Sequence, residues 1–147
     1  MADYPTLLDF PAPRLRVYPA VAVVAEKVHV MVEHGMLNSR MKDLFDLAVL
    51  SARLSFSGNE LVAALLATFG RRRTALEERL PAPLTQEFAD DAMKLAQWRG
   101  FLKRTRLADA ELSEAVAALR RFLAEPYLAA ARGEPFTRHW PAGGPWG

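Results

Sequence analysis

Between residues 39 and 54, leucines recur at the spacing of one helix face, and charged side chains share that face. The recurring leucines are Leu44, Leu47, Leu50 and Leu54. Gly35 and the pair Asn38-Ser39 predict the end of one helix and the cap of the next, so we expect this helix to begin near Ser39. Arg40 and Asp43 project from the first turns of the leucine face, which directs both side chains inward. The segment therefore predicts a helix that carries charges toward the protein interior.

The preceding helix, predicted from Ala20 to His34, places a lysine among apolar side chains. Its buried face is expected to contain Val21, Val24, Val28, Met31 and Val32. Lys27 lies at the margin of that face, with apolar residues three and four positions away on both sides. Because burying an unpaired charge costs several kcal/mol, we expect Lys27 to be ion-paired or to act in function.

Helix caps and apolar periodicity predict three further helices. Their expected bounds are Ser57 to the arginines 71–73, Thr85 to about Lys103, and Asp109 to Ala124. Pro126 is expected to break the last of them, because proline removes a backbone donor and clashes with the preceding turn. The side chains expected to face the core are Leu61, Leu65, Leu66, Phe69, Phe88, Leu95, Trp98, Leu102, Leu112, Val116, Leu119 and Leu123.

These elements predict a mainly α fold, namely a five-helix bundle-like domain over residues 20–132. Four prolines precede residue 20 and favour an extended segment over residues 1–19, in which Leu15–Tyr18 is a candidate strand. Residues 133–147 are expected to form an extended tail that Trp140 and Trp146 tie down.

Composition excludes several classes of protein. The 19 basic and 17 acidic side chains leave a net charge of only +2, so only local clusters could favour nucleic-acid binding. The absence of cysteine excludes disulfides, thiol catalysis and cysteine-bound zinc. No stretch approaches the roughly 20 apolar residues of a membrane span, and the first residues lack the pattern of a signal peptide. We therefore expect a cytoplasmic protein.

The charged residues of the first two helices form a pattern. Glu26-Lys27 is followed after a short loop by Asn38-Ser39-Arg40-Met41-Lys42-Asp43 and then by Asp46. This pattern resembles the AbiEii/AbiGii toxin family of nucleotidyltransferases, and the similarity extends to the Trp140-Pro141 and Gly144-Pro145-Trp146 end. The family consists of bacterial toxin or phage-defence proteins that are paired with an antitoxin. The resemblance implies transfer of a nucleotide from a nucleoside triphosphate, with Mg²⁺, to an acceptor such as RNA, in some members the 3′ end of a transfer RNA.

The resemblance also implies roles for individual residues. Lys27, Arg40 and Lys42 would bind the nucleotide, and Lys27, Asp43 and Asp46 would be catalytic. Cations suit this chemistry because nucleotidyl transfer depends on offsetting the charge of the phosphates. Asp43 would either accept a proton from the attacking hydroxyl or orient Arg40, and both roles stay open.

The chain departs from the family pattern in its metal ligands. Full-length members carry a Gly-Ser or Gly-Gly turn and then an Asp-x-Asp on a strand that holds the metal, and this sequence has no such element. The adjacent Asp90 and Asp91 would diverge by about 100° on a helix, so they could not share a metal. The chain therefore resembles the C-terminal half of such an enzyme, and we expect it to be a truncated form or to need a separate N-terminal half that binds the metal.

Two charged groups also have purely structural interpretations. Arg40 and Asp43 could form a buried ion pair that joins two helices without any chemistry. Glu26, His29 and Glu33 share one helix face, and a Glu-x-x-His element is typical of di-metal bundles only when a second copy faces it. This face is opposite the valines, so we expect it to be solvated and to hold no metal.

The remaining basic clusters lie at predicted helix ends. The arginines 71–73 and the run 103–106 would there complement the helix dipoles, or they would contact the phosphates of an RNA acceptor. The alternative to an enzyme is a non-catalytic helical interaction module that binds an antitoxin or RNA.

Overall fold

The computed structural model describes residues 19–37, 40–107 and 110–147, and this part of the chain is mainly helical. Its elements are α1 (Ala20–His34), α2 (Met41–Arg53), β1 (Phe56–Ser57), α3 (Gly58–Arg71), α4 (Gln86–Asp90), α5 (Ala92–Thr105), α6 (Leu112–Arg132) and β2 (His139–Trp140), with 3₁₀ turns at Gly35–Leu37 and Ala82–Leu84. The mainly α prediction is confirmed, although the described residues form six helices where five were predicted. None of these helices is long and apolar enough to cross a membrane.

Helices α1 and α3 follow their sequence signals closely. Helix α1 has the predicted bounds, and the Ser57 hydroxyl caps α3 by accepting a hydrogen bond of 3.3 Å from the Glu60 N–H. Helix α2 begins at Met41, later than predicted, and its N-cap residue Arg40 makes no side-chain cap bond. The predicted cap at residues 38–39, the predicted cap at residue 109 and the candidate strand at residues 15–18 lie outside the described residues.

The predicted long helix from Thr85 is divided in two. Thr85 caps α4 as expected, through a bond from the Phe88 N–H, but the chain turns extended at Asp91. The Asp91 carboxylate then accepts from the Lys94 N–H at 3.0 Å and starts α5. A short polar side chain that can cap a new helix thus competes with continuation of the old one.

Helix α6 runs through Pro126 to Arg132, so the predicted break at this proline is wrong. Pro126 has no N–H to donate to the Phe122 carbonyl one turn earlier. The Trp146 indole N–H donates to that carbonyl at 2.9 Å, and its ring stacks on the Phe122 ring with centroids 6.0 Å apart. A side chain from the tail therefore replaces the missing backbone donor and keeps the helix continuous.

One hydrophobic core lies between the helices. Helix α1 packs mainly against α3, and α6 packs against both α2 and α3. The largest fully buried side chains are Trp98, Tyr127, Phe69, Phe88, Phe122, Met31, Leu44, Leu47, Leu50, Leu61, Leu65 and Leu84. Leu66, predicted to face the core, is instead 47% exposed, because it lies on the side of α3 that no other described element covers.

The tail after Gly133 returns to the start of α3. Strand β2 pairs antiparallel with β1, with Phe56 opposite Trp140. The Trp140 indole N–H donates to the Ser51 carbonyl at the end of α2 at 2.7 Å. The expectation that Trp140 and Trp146 tie down the tail is confirmed, since both are buried.

Candidate functional site

An ion-pair network joins α1 to the first turn of α2. The Lys27 ammonium on α1 donates to Asp43 Oδ1 at 2.7 Å and lies 3.5 Å from Asp46 Oδ2. Each carboxylate also contacts a second cation. Arg40 Nε lies 2.9 Å from Asp43 Oδ2, and Lys42 donates to Asp46 Oδ2 at 2.7 Å. The structure thus brings together all five charged residues that the sequence indicated.

The network is buried at its centre and exposed at its edge. The Asp46 side chain is 0% exposed and that of Lys27 is 16% exposed, and Asp43 is also buried. The Arg40 side chain is 56% exposed, so the prediction that it points inward is wrong. The physical reason is that Arg40 precedes the first turn of α2 as its N-cap residue, and its side chain reaches Asp43 from the solvent side.

The network forms one wall of a cleft of about 600 Å³. The cleft is lined by Ala22, Val23, Glu26, Lys27, Val30, Arg40, Asp43, Arg71 and Arg72. Four of these side chains are cationic, two are acidic and three are apolar. Positive charge beside an apolar surface suits a ligand that combines an anionic group with a hydrophobic one.

The opposite side of the cleft contains an acidic residue and two arginines that the sequence analysis did not assign to the site. The Glu26 carboxylate accepts hydrogen bonds from the Arg71 guanidinium at 2.5 Å and from the Arg72 guanidinium at 2.6 Å. The sequence indicated that these arginines lie at a helix end and either complement its dipole or contact RNA phosphates, and α3 does end at Arg71 with Arg72 as its C-cap residue. Their proximity to Glu26 depends on the packing of α3 against α1, which no local pattern reveals.

His29 is buried, so the prediction of a solvated Glu26–His29–Glu33 face is wrong at its centre. The residue is 1% exposed because α3 packs against this side of α1. Its ring meets Phe69 edge-on at 5.2 Å, and its Nε2 forms a 2.7 Å hydrogen bond with the Thr74 hydroxyl. The histidine therefore fixes the turn after α3 to α1.

The charged residues of the network do not fit a resident Mg²⁺. In residues 19–37, 40–107 and 110–147, no three His, Asp or Glu side chains are grouped as metal ligands. The Asp43 and Asp46 carboxylates already contact Lys27, Arg40 and Lys42 within 3.5 Å. Three cations around two carboxylates would repel a divalent ion, which in addition needs about six oxygen ligands.

Fold and site together define a helical domain with a cation-lined cleft beside a buried ion-pair network. A family model described as "Nucleotidyl transferase AbiEii toxin, Type IV TA system" matches residues 1–125. The chain therefore belongs to the AbiEii family of nucleotidyltransferase-type toxins, as the charged pattern predicted. The matched range contains the whole network and the whole cleft, and it ends before the Trp140 to Trp146 region to which the resemblance was expected to extend.

Other comparisons add no relative. No curated protein and no solved structure matches the chain. The roles of individual residues therefore rest on the geometry of this molecule and on its family.

Proposed function

We propose that the cleft binds a nucleoside triphosphate, and that the domain serves the transfer of its nucleotide to an acceptor such as RNA. One observation carries this proposal: cationic Lys27 and Arg40 lie beside apolar Ala22, Val23 and Val30 in a cleft of about 600 Å³. The apolar side chains offer a surface for a base, and the cations offset phosphate charge. Membership in a family described as nucleotidyl transferases supports nucleotide transfer over simple anion binding.

The network suggests separate roles for its members. Lys27 and Arg40 reach the cleft and would contact the phosphates. Asp43 has one oxygen against each of these cations, so we propose that it orients them. Asp46 is inaccessible, and Lys42 contacts it from outside the cleft lining. We therefore propose that Asp46 and Lys42 position Lys27, whereas the resemblance implied a catalytic Asp46 and a nucleotide-binding Lys42.

The proposed reaction requires groups beyond these residues. Mg²⁺ would accompany the triphosphate, and its protein ligands would come from a separate N-terminal half, since the network itself does not fit the ion. The family also implies a cognate antitoxin as a partner. We propose phage defence as the cellular role, in keeping with the resemblance.

Isothermal titration tests nucleotide binding directly. Each of the common nucleoside triphosphates, with Mg²⁺, would be titrated into the wild type, Arg40→Gln and Arg53→Gln. Arg53 is a matched control because it is exposed on the same helix but outside the cleft. We expect Arg40→Gln to weaken binding about tenfold, the loss typical of one charge-assisted contact, and Arg53→Gln to leave it unchanged. Absence of binding by the wild type would refute the proposal.

A second candidate is the helical interaction module, and a second basic cleft favours RNA as its partner. Arg99, Lys103 and Arg106 line a cleft of about 330 Å³ at the end of α5. Anisotropy of a labelled RNA hairpin, measured over a range of salt concentrations, would test this. The slope of log affinity against log salt concentration should become shallower by about two in the Arg99→Gln, Lys103→Gln double variant, which would support phosphate contacts there.

A further inference from the structure

We propose that Arg71 and Arg72 form a second phosphate subsite in the cleft, and that Glu26 occupies this subsite as an internal anion until a ligand displaces it. The inference rests on the proposed function in one respect, because it assumes that the cleft receives a phosphorylated ligand. It assigns to α1 and α3 a binding role that the charged pattern of α1 and α2 does not contain.

The geometry around Glu26 is that of an occupied anion site. One carboxylate oxygen accepts from Arg71 Nη2 and the other from Arg72 Nη2, at 2.5 and 2.6 Å. Two guanidinium groups thus converge on one small anion. A phosphate group presents more oxygens and more charge in a similar space, and guanidinium groups match its geometry well.

A ligand phosphate can replace the Glu26 carboxylate between the two arginines at little cost in stability. The side chains of Glu26, Arg71 and Arg72 are 35%, 62% and 49% exposed, respectively. Ion pairs at such exposure contribute little to stability, so the fold loses little when Glu26 turns away. The Lys27–Asp43–Asp46 network differs, because the Lys27 and Asp46 side chains are only 16% and 0% exposed. These side chains cannot turn away into solvent as Glu26 can.

The group around Lys27 and the group around Glu26 lie on opposite sides of the cleft and meet at α1. Glu26 and Lys27 are adjacent in α1, and both line the cleft together with Arg40. Lys27 is held toward α2 by Asp43, whereas Glu26 is held toward α3 by Arg71. A ligand with two phosphate groups, or a nucleotide beside a phosphorylated acceptor, could therefore contact both sides at once.

The turn that presents the arginines is itself fixed. The Thr74 N–H donates to the Phe69 carbonyl at 2.9 Å, and Arg73 takes the left-handed conformation with φ of 55°. The Nε2 atom of the buried His29 forms a 2.7 Å hydrogen bond with the Thr74 hydroxyl. His29 is thus a positioning residue for the subsite, which lowers the ordering cost of binding.

The test is titration of inorganic pyrophosphate into the wild type, Glu26→Gln and the Arg71→Gln, Arg72→Gln double variant. Glu26→Gln removes the internal anion and should tighten pyrophosphate binding at least about threefold. The double arginine variant lacks both guanidinium groups and should weaken pyrophosphate binding about tenfold or more. Two matched controls carry the same charge change elsewhere. Glu33→Gln lies on the same helix outside the cleft, and Glu125→Gln breaks an exposed pair with Arg138. Both should leave the affinity unchanged.

The outcomes separate this proposal from the nucleotide proposal. Tighter pyrophosphate binding by Glu26→Gln without any nucleotide binding would support the subsite and refute the nucleotide site. Nucleotide binding that depends on Arg40 but is the same in the double arginine variant, together with equal pyrophosphate affinities of Glu26→Gln and Glu33→Gln, would overturn the subsite alone.

Two further titrations identify the source of the phosphate. Weaker binding of a nucleoside triphosphate by the double arginine variant would assign the subsite to the nucleotide itself. Weaker binding of a 5′-phosphorylated RNA oligonucleotide, with triphosphate binding unchanged, would assign it to the acceptor. Either result supports the subsite, and no change with any of the three ligands overturns it.

Discussion

Replacement of Lys27 by methionine should expose the energetic role of the ion-pair network. Methionine keeps most of the volume of the lysine side chain but removes its charge. The change leaves the buried carboxylates of Asp43 and Asp46 without the cation that they share. Lys42→Met is the matched comparison, because it also removes one cation from Asp46 but starts from a side chain that is 52% exposed.

The magnitude follows from the burial of the partners. Removing one member of a buried ion pair costs about 3–5 kcal/mol when the other charge is left uncompensated. Here Arg40 and Lys42 remain at 2.9 and 2.7 Å from the two carboxylates, so the compensation is partial. We expect Lys27→Met to lower the free energy of unfolding by about 2–3 kcal/mol. Lys42→Met should lower it by only about 1 kcal/mol, because the Lys42 side chain is 52% exposed and Lys27 remains 3.5 Å from the buried Asp46 carboxylate.

Urea unfolding followed by circular dichroism measures both losses, and the melting temperature of Lys27→Met should fall by about 6–10 °C. Adding Asp46→Asn to Lys27→Met should restore about 1 kcal/mol, because the uncompensated charge is removed. Equal losses for the two lysine variants would refute the reasoning. So would a further loss on adding Asp46→Asn, since the buried carboxylate would then not be the source of the instability.

Three shorter predictions concern the core and the tail. Gly58→Ala should destabilise the fold by about 1–3 kcal/mol, because the new Cβ would lie 2.5 Å from Phe136. Gly70→Ala lies in open space on the same helix and should stabilise the fold by about 0.5–1 kcal/mol. Urea unfolding measures both changes. Trp140→Phe should cost about 0.5–1.5 kcal/mol in the same assay, because the Ser51 carbonyl loses the indole donor but keeps the Gly143 N–H at 2.9 Å, and an unchanged midpoint would contradict this. Burial, and secondarily the charge of Glu77, raise the pKa of the Tyr127 hydroxyl. The unfolded chain therefore loses this proton at a lower pH than the folded one, and the free energy of unfolding should fall as the pH rises above about 10. Tyr127→Phe should remove that component of the pH profile.

The sequence predicted the elements whose signals are local. Helix α3 has its capping residue Ser57 within one turn, and its apolar positions repeat at helical spacing, so its start could be read directly. The location of Lys27 at the edge of an apolar face likewise follows from α1 alone. That Lys27 is paired was also expected on energetic grounds. Which carboxylates pair with it depends on how α1 meets α2, and the local patterns did not identify them.

Some wrong predictions arose where a distant group changed a local preference, and one arose where two local preferences competed. His29 looked solvated because its neighbours Glu26 and Glu33 are charged, yet α3 covers the histidine from a position far along the chain. Asp91 looked like an interior helix residue, but its carboxylate caps a new helix instead. The cleft shows the same limit, since only tertiary packing brings Glu26 to Arg71 and Arg72 and places these arginines in one cleft with Lys27.

The contact of Trp146 with the Phe122 carbonyl has a consequence for the timing of folding. During synthesis, residues 112–132 are added to the chain before Trp146. Until then, the Phe122 carbonyl at the proline has no donor from its own helix, and burying it in that state would cost about 1–3 kcal/mol. The second half of α6 is therefore expected to reach its packed state only after Trp146 has been translated, and not as an early unit of the nascent chain.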